Sequence, residues 1–249
     1  MKRAKRALLG RTGGPIRIAC VNRSGADLRM KQLTAALQKF YDKHFLPVWG
    51  YAVKLYITQE PKPSDWQLVY YKHPDQKGVK ELGRHQLTRG YQPISKVFVE
   101  KLSAGEPVSL AASHELFEMV IDPLANLWAQ KSNRTLYAYE VCDAVEEDKH
   151  GSLMQDGMRM SNFVYPAWFE PIDHPPGTKF DHLGTLKEPF SMNEGGYVIK
   201  KVDGKKVTKQ FSSDKKKRRF AKEVRHGHRS EFRAGKKHHT LMRRPKASR

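Results

Sequence analysis

The chain has 249 residues, a formal net charge of +20, 39% hydrophobic and 29% charged residues, and two cysteines. That length buries one sizeable core with appendages. Two isolated cysteines exclude a disulfide framework and a cysteine-based zinc motif, leaving Cys20 and Cys142 as expected buried free thiols. The charge is uneven: from Lys200 to Arg249 there are 20 Lys/Arg against 4 Asp/Glu, a net of +16, so residues 1–199 carry an ordinary +4. No apolar run approaches the length of a membrane span. The apolar stretch after the basic N-terminus, Ala7-Leu8-Leu9, is too short for a signal peptide. A soluble, intracellular protein without membrane contact is expected.

In chain order, residues 1–14 read as a flexible basic arm. Residues 15–21 read as a strand, 22–25 as a turn, and 26–45 as an amphipathic helix carrying Leu28, Leu33, Leu37, Phe40 and Tyr41 at helical spacing, stopped by Pro47. Strands are expected over 51–57, 66–71 and 96–100. The polar, glycine-bearing stretch 72–92 reads as a surface excursion. A helix follows over 109–121. Asp122-Pro123 then reads as the N-cap and first residue of a short helix over 123–130. Apolar stretches at 136–145 and 160–169 flank an acidic loop. Residues 173–196, rich in Pro and Gly, are expected to wrap the surface, and 197–211 to form a hairpin turning at Asp203-Gly204. From Ser212 the composition is that of a disordered cationic tail. The organisation is therefore a basic arm (1–14), a main domain (15–172), a wrapping extension with its hairpin (173–211) and a basic tail (212–249). The fold class is α+β, a mixed sheet packed on helices.

The helix at 109–121 carries the chemistry. His114, Glu115, Glu118 and Asp122 point into a sector of roughly 100°, while Leu110, Ala112, Leu116, Phe117, Met119, Val120 and Ile121 fill most of the remaining circumference. This describes a helix buried on nearly all sides with one narrow polar wedge. Buried imidazoles and carboxylates cost free energy unless paired or bound to a metal. His114 and Glu118, one turn apart, reach a common ion or pair with each other. A hydrolytic metal site needs three protein ligands, an open position and a base. Glu115 is the candidate base, Glu140 the candidate third ligand, and Asp143 close behind it a group orienting His114 or an alternative ligand. For Glu140, a buried acid paired with a core Arg or Tyr is the other reading. Asp122 stands between helix cap and ligand.

The order His-Glu-x-x-Glu resembles the His-Glu-x-x-His helix of zinc peptidases, whose first and fifth residues bind metal and whose Glu is the general base. Residues 113–123, Glu140-Val-Cys-Asp143 and Ser161-Asn-Phe-Val-Tyr-Pro-Ala-Trp168 together resemble a group of zincin-like proteins with bacterial and phage-encoded members, and more distantly plant exordium-type proteins. The resemblance covers residues 15–170 by order of elements. It implies a zincin-like fold, Zn2+ or another divalent metal at His114, Glu118 and the gluzincin-type position Glu140, and a metallopeptidase-like activity with Glu115 as base. It also implies a setting in the cytoplasm or within a phage particle, with particle proteins as partners. A non-catalytic structural or accessory particle protein keeping the fold is the alternative. The chain departs from the peptidase pattern at Glu118. Two carboxylate ligands neutralise most of a divalent charge, weaken polarisation of bound water and make the site less zinc-selective.

The tail is a separate signal. Lys215, Lys216, Lys217, Arg218 and Arg219, then Arg225, Arg229 and Arg233, form a dense positive field interleaved with Phe220, Phe232 and four histidines. Such density suits non-specific binding of nucleic acid through phosphate neutralisation. A solvated tail, or one that meets an acidic protein, is the competing reading.

Overall fold

The computed structural model describes residues 14–74, 82–88, 90–102, 107–146, 152–204 and 207–212. Residues 1–13 of the basic arm and 213–249 of the tail, with Lys215 to Arg233, lie outside the described residues. Among the described residues the chain is α+β, with few helices and three sheets. The largest sheet has five strands, β1 (Ile16–Arg23), β2 (Val53–Ile57), β3 (Trp66–Tyr71), β4 (Gly83–Leu87) and β5 (Pro93–Phe98), in the order β2-β1-β3-β5-β4. The first four in that order run parallel, and β4 is antiparallel to β5 at the edge. Ile18-Ala19-Cys20-Val21 is buried throughout, as expected for a central parallel strand covered on both faces.

Two helices lie on one face. α1 (Met30–Phe40) links β1 to β2, and α2 (Val108–Ile121) follows β5. Between them and the sheet sits an aromatic core in which Phe117 of α2 stacks on Phe45 at 4.3 Å and meets Phe163 edge-on at 5.6 Å. Leu116, Phe117, Met119 and Val120 are all buried, each worth about 1.5–3 kcal/mol of burial. Pro47 does not stop the first helix. After Phe40 the chain widens into a π-helical turn, Tyr41–Phe45, and Pro47 sits at the start of the next turn, Leu46–Trp49. There its missing N–H costs little. Gly50, at φ 74°, ends the helix instead.

A four-stranded antiparallel sheet, ordered β11-β10-β7-β6, joins β6 (Trp128–Ser132) and β7 (Thr135–Ala138) to the C-terminal hairpin of β10 (Tyr197–Val202) and β11 (Val207–Phe211). Asp203 and Gly204 both take left-handed angles in the connection. A two-stranded ribbon, β8 (Ser152–Gln155) with β9 (Met158–Ser161), packs on α2. Phe180, Leu186, Phe190 and Val198 belong to the same apolar cluster as α1 and α2, so residues 173–198 help close the main core.

Three sequence expectations are corrected here. The surface excursion 72–92 contains β4. The strand placed at 96–100 is β5, and Val99–Leu102 turns helical. No helix follows Asp122-Pro123: the chain makes a turn and enters β6. The side chain of Asp122 spans that turn, Oδ1 accepting from the Asn126 amide and Oδ2 from the Leu127 amide, both at 3.0 Å. No helix among the described residues is long and apolar enough to cross a membrane.

Candidate metal centre

The centre forms where α2 meets β4 and the segment 140–143. Three hydrogen bonds fix the helix. The Ser95 hydroxyl on β5 donates to the Glu115 carbonyl at 2.7 Å, the Ser113 hydroxyl accepts from the Ser161 amide at 2.8 Å, and the Ser109 hydroxyl donates to the Arg159 carbonyl at 2.7 Å. Strand alternation then decides what β4 offers. Gly83 and His85 lie opposite Val97 and Ser95, on the helix face. Arg84, one residue off, takes the other face over the Phe98 ring. Gly83 is required by close approach: a Cβ there would come within 2.7 Å of the Glu115 Cγ.

Two groups of metal-ligand type result, and they share Glu118. In the first, His114 Nε2 lies 3.2 Å from Glu118 Oε1 and 3.2 Å from Asp143 Oδ1. In the second, His85 Nδ1 lies 3.6 Å from Glu118 Oε2 and 3.8 Å from Glu115 Oε2. On its other side, His85 Nε2 is 3.9 Å from Glu140 Oε2. The separations of 3.6–3.9 Å exceed a hydrogen bond. They suit the edge of a coordination shell, about 3.4 Å between tetrahedral ligands with bonds near 2.1 Å. The His85 and Glu118 side chains have no exposure, those of Glu140 and Asp143 at most 2%, and His114 reaches 13%. His114 is therefore the edge that solvent touches.

Electrostatics set this cluster apart from an ordinary core. Four carboxylates, Glu115, Glu118, Glu140 and Asp143, gather around two imidazoles. Burial pulls the His114 imidazole down, but the Glu118 charge and the Asp143 hydrogen bond outweigh it and hold the ring well above its ordinary range. Burial and the neighbouring Glu118 charge push the Asp143 carboxyl up to about 7, against the pull of His114. Burial likewise raises the Cys142 thiol well above its usual range, and Cys20 to about 12. Both cysteines are free and buried.

The structure thus brings His114, Glu115, Glu118, Glu140 and Asp143 into one cluster. Within it, Asp143 joins His114 and Glu118, whereas Glu140 adjoins His85. Asp122 stands apart, its two oxygens engaged by backbone amides. Sequence reasoning missed His85 outright. The available signal was Leu82-Gly-Arg-His-Gln-Leu87, an imidazole two residues from a glycine on one face of a short strand, set in a stretch too polar to read as core. The third sequence block is architectural: buried Asn162 donates to Asp181 Oδ2 at 2.8 Å and accepts from the Phe163 amide.

No protein-family model, curated protein or solved structure matches this chain.

Proposed function

We propose that the chain is a zincin-like, divalent-metal-dependent hydrolase of peptide bonds, held on nucleic acid by its basic tail. The observation that carries the reading is the mutual reach of His114, Glu118 and Asp143 on and beside a buried helix, with Glu115 adjacent and His114 13% exposed. Those three residues would hold the ion, Zn2+ or a harder divalent cation suited to two carboxylates. A bound divalent ion supplies Lewis acidity toward a carbonyl and toward water. Glu115, the next most exposed of the group at 6%, takes a proton from the attacking water and returns it to the leaving amine. Glu140 lies on the other side, 3.9 Å from His85 Nε2. The packing of α2 on a mixed sheet supports the zincin-like reading, as does the His-Glu-x-x-Glu order.

The test is Glu115→Gln on purified, metal-reconstituted chain with an unfolded protein as substrate. Cleavage should disappear while the fold and the ion at His114, Glu118 and Asp143 persist. Undiminished cleavage would remove Glu115 from the mechanism, and loss of that ion would make Glu115 one of its ligands. For the tail, deleting residues 213–249 should sharply weaken DNA and RNA binding by a domain that still folds. Binding by the intact chain should fall steeply with salt and show no sequence preference. Affinity unchanged by the deletion would defeat this part.

The second reading is a non-catalytic accessory protein, in the cytoplasm or a phage particle, contacting other particle proteins. The burial of Glu118 and Asp143 favours it, because two enclosed carboxylates blunt the acidity of any ion they hold.

A further inference from the structure

The geometry points to a second divalent cation, so that the centre holds two ions bridged by Glu118. This rests on the reading above only in taking the cluster to be a cation site. The two oxygens of Glu118 serve different histidines, Oε1 facing His114 Nε2 at 3.2 Å and Oε2 facing His85 Nδ1 at 3.6 Å. A carboxylate whose oxygens each complete a separate ligand group is the bridge of a two-metal site, where paired ions stand about 3.5–4 Å apart. The outer group is His114, Glu118 and Asp143; the inner group is His85, Glu115 and Glu118.

Three further features belong to the inner group alone. His85 comes from β4, an element that contributes nothing to the outer group. Gly83, on the same face, leaves the space that the Glu115 side chain fills; an alanine there would meet Glu115 Oε1 at 2.9 Å. Glu140 lies on the Nε2 side of the ring. Nδ1 is then the ring nitrogen turned toward Glu115 and Glu118. Oxygen-rich donors with one imidazole per ion suit Mn2+ better than sites of soft ligands do. While the inner ion is bound, Glu115 is its ligand, and the proton-accepting role belongs to the form with the outer ion alone.

The experiment is titration of the metal-stripped full chain with Mn2+, counting bound ions by equilibrium dialysis and recording the electron paramagnetic resonance spectrum. Wild type should bind two ions and show the exchange-coupled spectrum of a bridged pair. Uptake by tail histidines would add only uncoupled signal. His85→Gln should bind one ion, uncoupled. Gly83→Ala, which changes no ligand residue but displaces the Glu115 side chain, should weaken the inner ion at least tenfold and spare the outer one. Glu118→Gln should abolish coupling. A folded wild-type chain that never shows a coupled pair overturns the proposal and needs no variant to do so. A coupled pair surviving His85→Gln overturns it equally. A chain that takes up two coupled ions and cleaves nothing leaves this proposal standing and sinks the hydrolase. A chain that cleaves with one ion does the reverse.

Discussion

Asp181 and Asp143 are both buried carboxylates, and the chain treats them in opposite ways. Asp181 accepts from Asn162 Nδ2, the Thr185 hydroxyl and the Leu186 amide at 2.8–2.9 Å. All three donors are neutral. Asp122 also accepts from two backbone amides. Asp143 meets one imidazole at 3.2 Å, its Oδ2 accepts no hydrogen bond, and it sits in the field of Glu118 and Glu140. An acid that only has to tie loops together is surrounded by dipoles. An acid packed against like charge raises the free energy of the folded chain unless a cation joins it.

That contrast can be broken by mutation. The largest expected effect is Asp181→Ala, which leaves the buried Asn162 and Leu186 donors unsatisfied and should cost about 3–4 kcal/mol in denaturant unfolding. Metal uptake by the variant should be unchanged. Next comes chelation. An ion present at 100 times its Kd stabilises by about 2.7 kcal/mol, so stripping it should lower Tm by roughly 5–10 °C in a chain of this size. Calorimetry of His114→Ala, which lacks the outer ion, should show a smaller chelator effect. Asp143→Asn sharpens the comparison because its sign reverses. The folded chain raises this carboxyl to about 7, so charging it above that pH opposes folding, and the stability it contributes at low pH is lost as pH rises through 7. In chelator at pH 8 the variant should be no less stable than wild type, while its metal affinity falls at least tenfold.

The smallest effect concerns a histidine outside the centre. Burial, with the charges of His44 and Lys179, lowers His182 from 6.5 to about 4. His182 Nε2 lies 3.0 Å from His44 Nδ1, and its Nδ1 lies 3.0 Å from the Tyr165 hydroxyl. The unfolded chain takes up a proton near pH 6.5 that the folded chain refuses until about 4. This contribution is therefore complete above 6.5 and is lost as pH falls through that window. His182→Gln should narrow the gap in Tm between pH 7 and pH 4.5. An unchanged gap would show that acid sensitivity resides elsewhere.

The wedge of α2 was legible in the sequence because a buried helix announces itself by apolar residues around most of its circumference, and His114, Glu115 and Glu118 stand out against that background. The parallel strands β1 and β3 were legible for the same reason. β4 was not, because Gly83-Arg-His-Gln-Leu87 carries one apolar side chain, and its burial is imposed by α2 and β5 rather than by its own composition. The turn after Asp122 was misread because an Asp-Pro pair caps a helix and closes a turn with equal ease; the pairing of β6 with β7 decided between them. The division of labour between Glu140 and Asp143 depends on His85, so it could not be inferred before that histidine was placed.

The central claim is that the buried cluster around Glu118 is a cation site. Its most direct test is a binding isotherm for a divalent metal on the full chain, wild type against Glu118→Gln. The exchange keeps the shape of the side chain and removes its charge from both ligand groups. The account expects tight uptake by wild type and a loss of affinity of at least a hundredfold in a variant that remains folded. Equal affinity in the two chains, or no uptake by wild type, would contradict it.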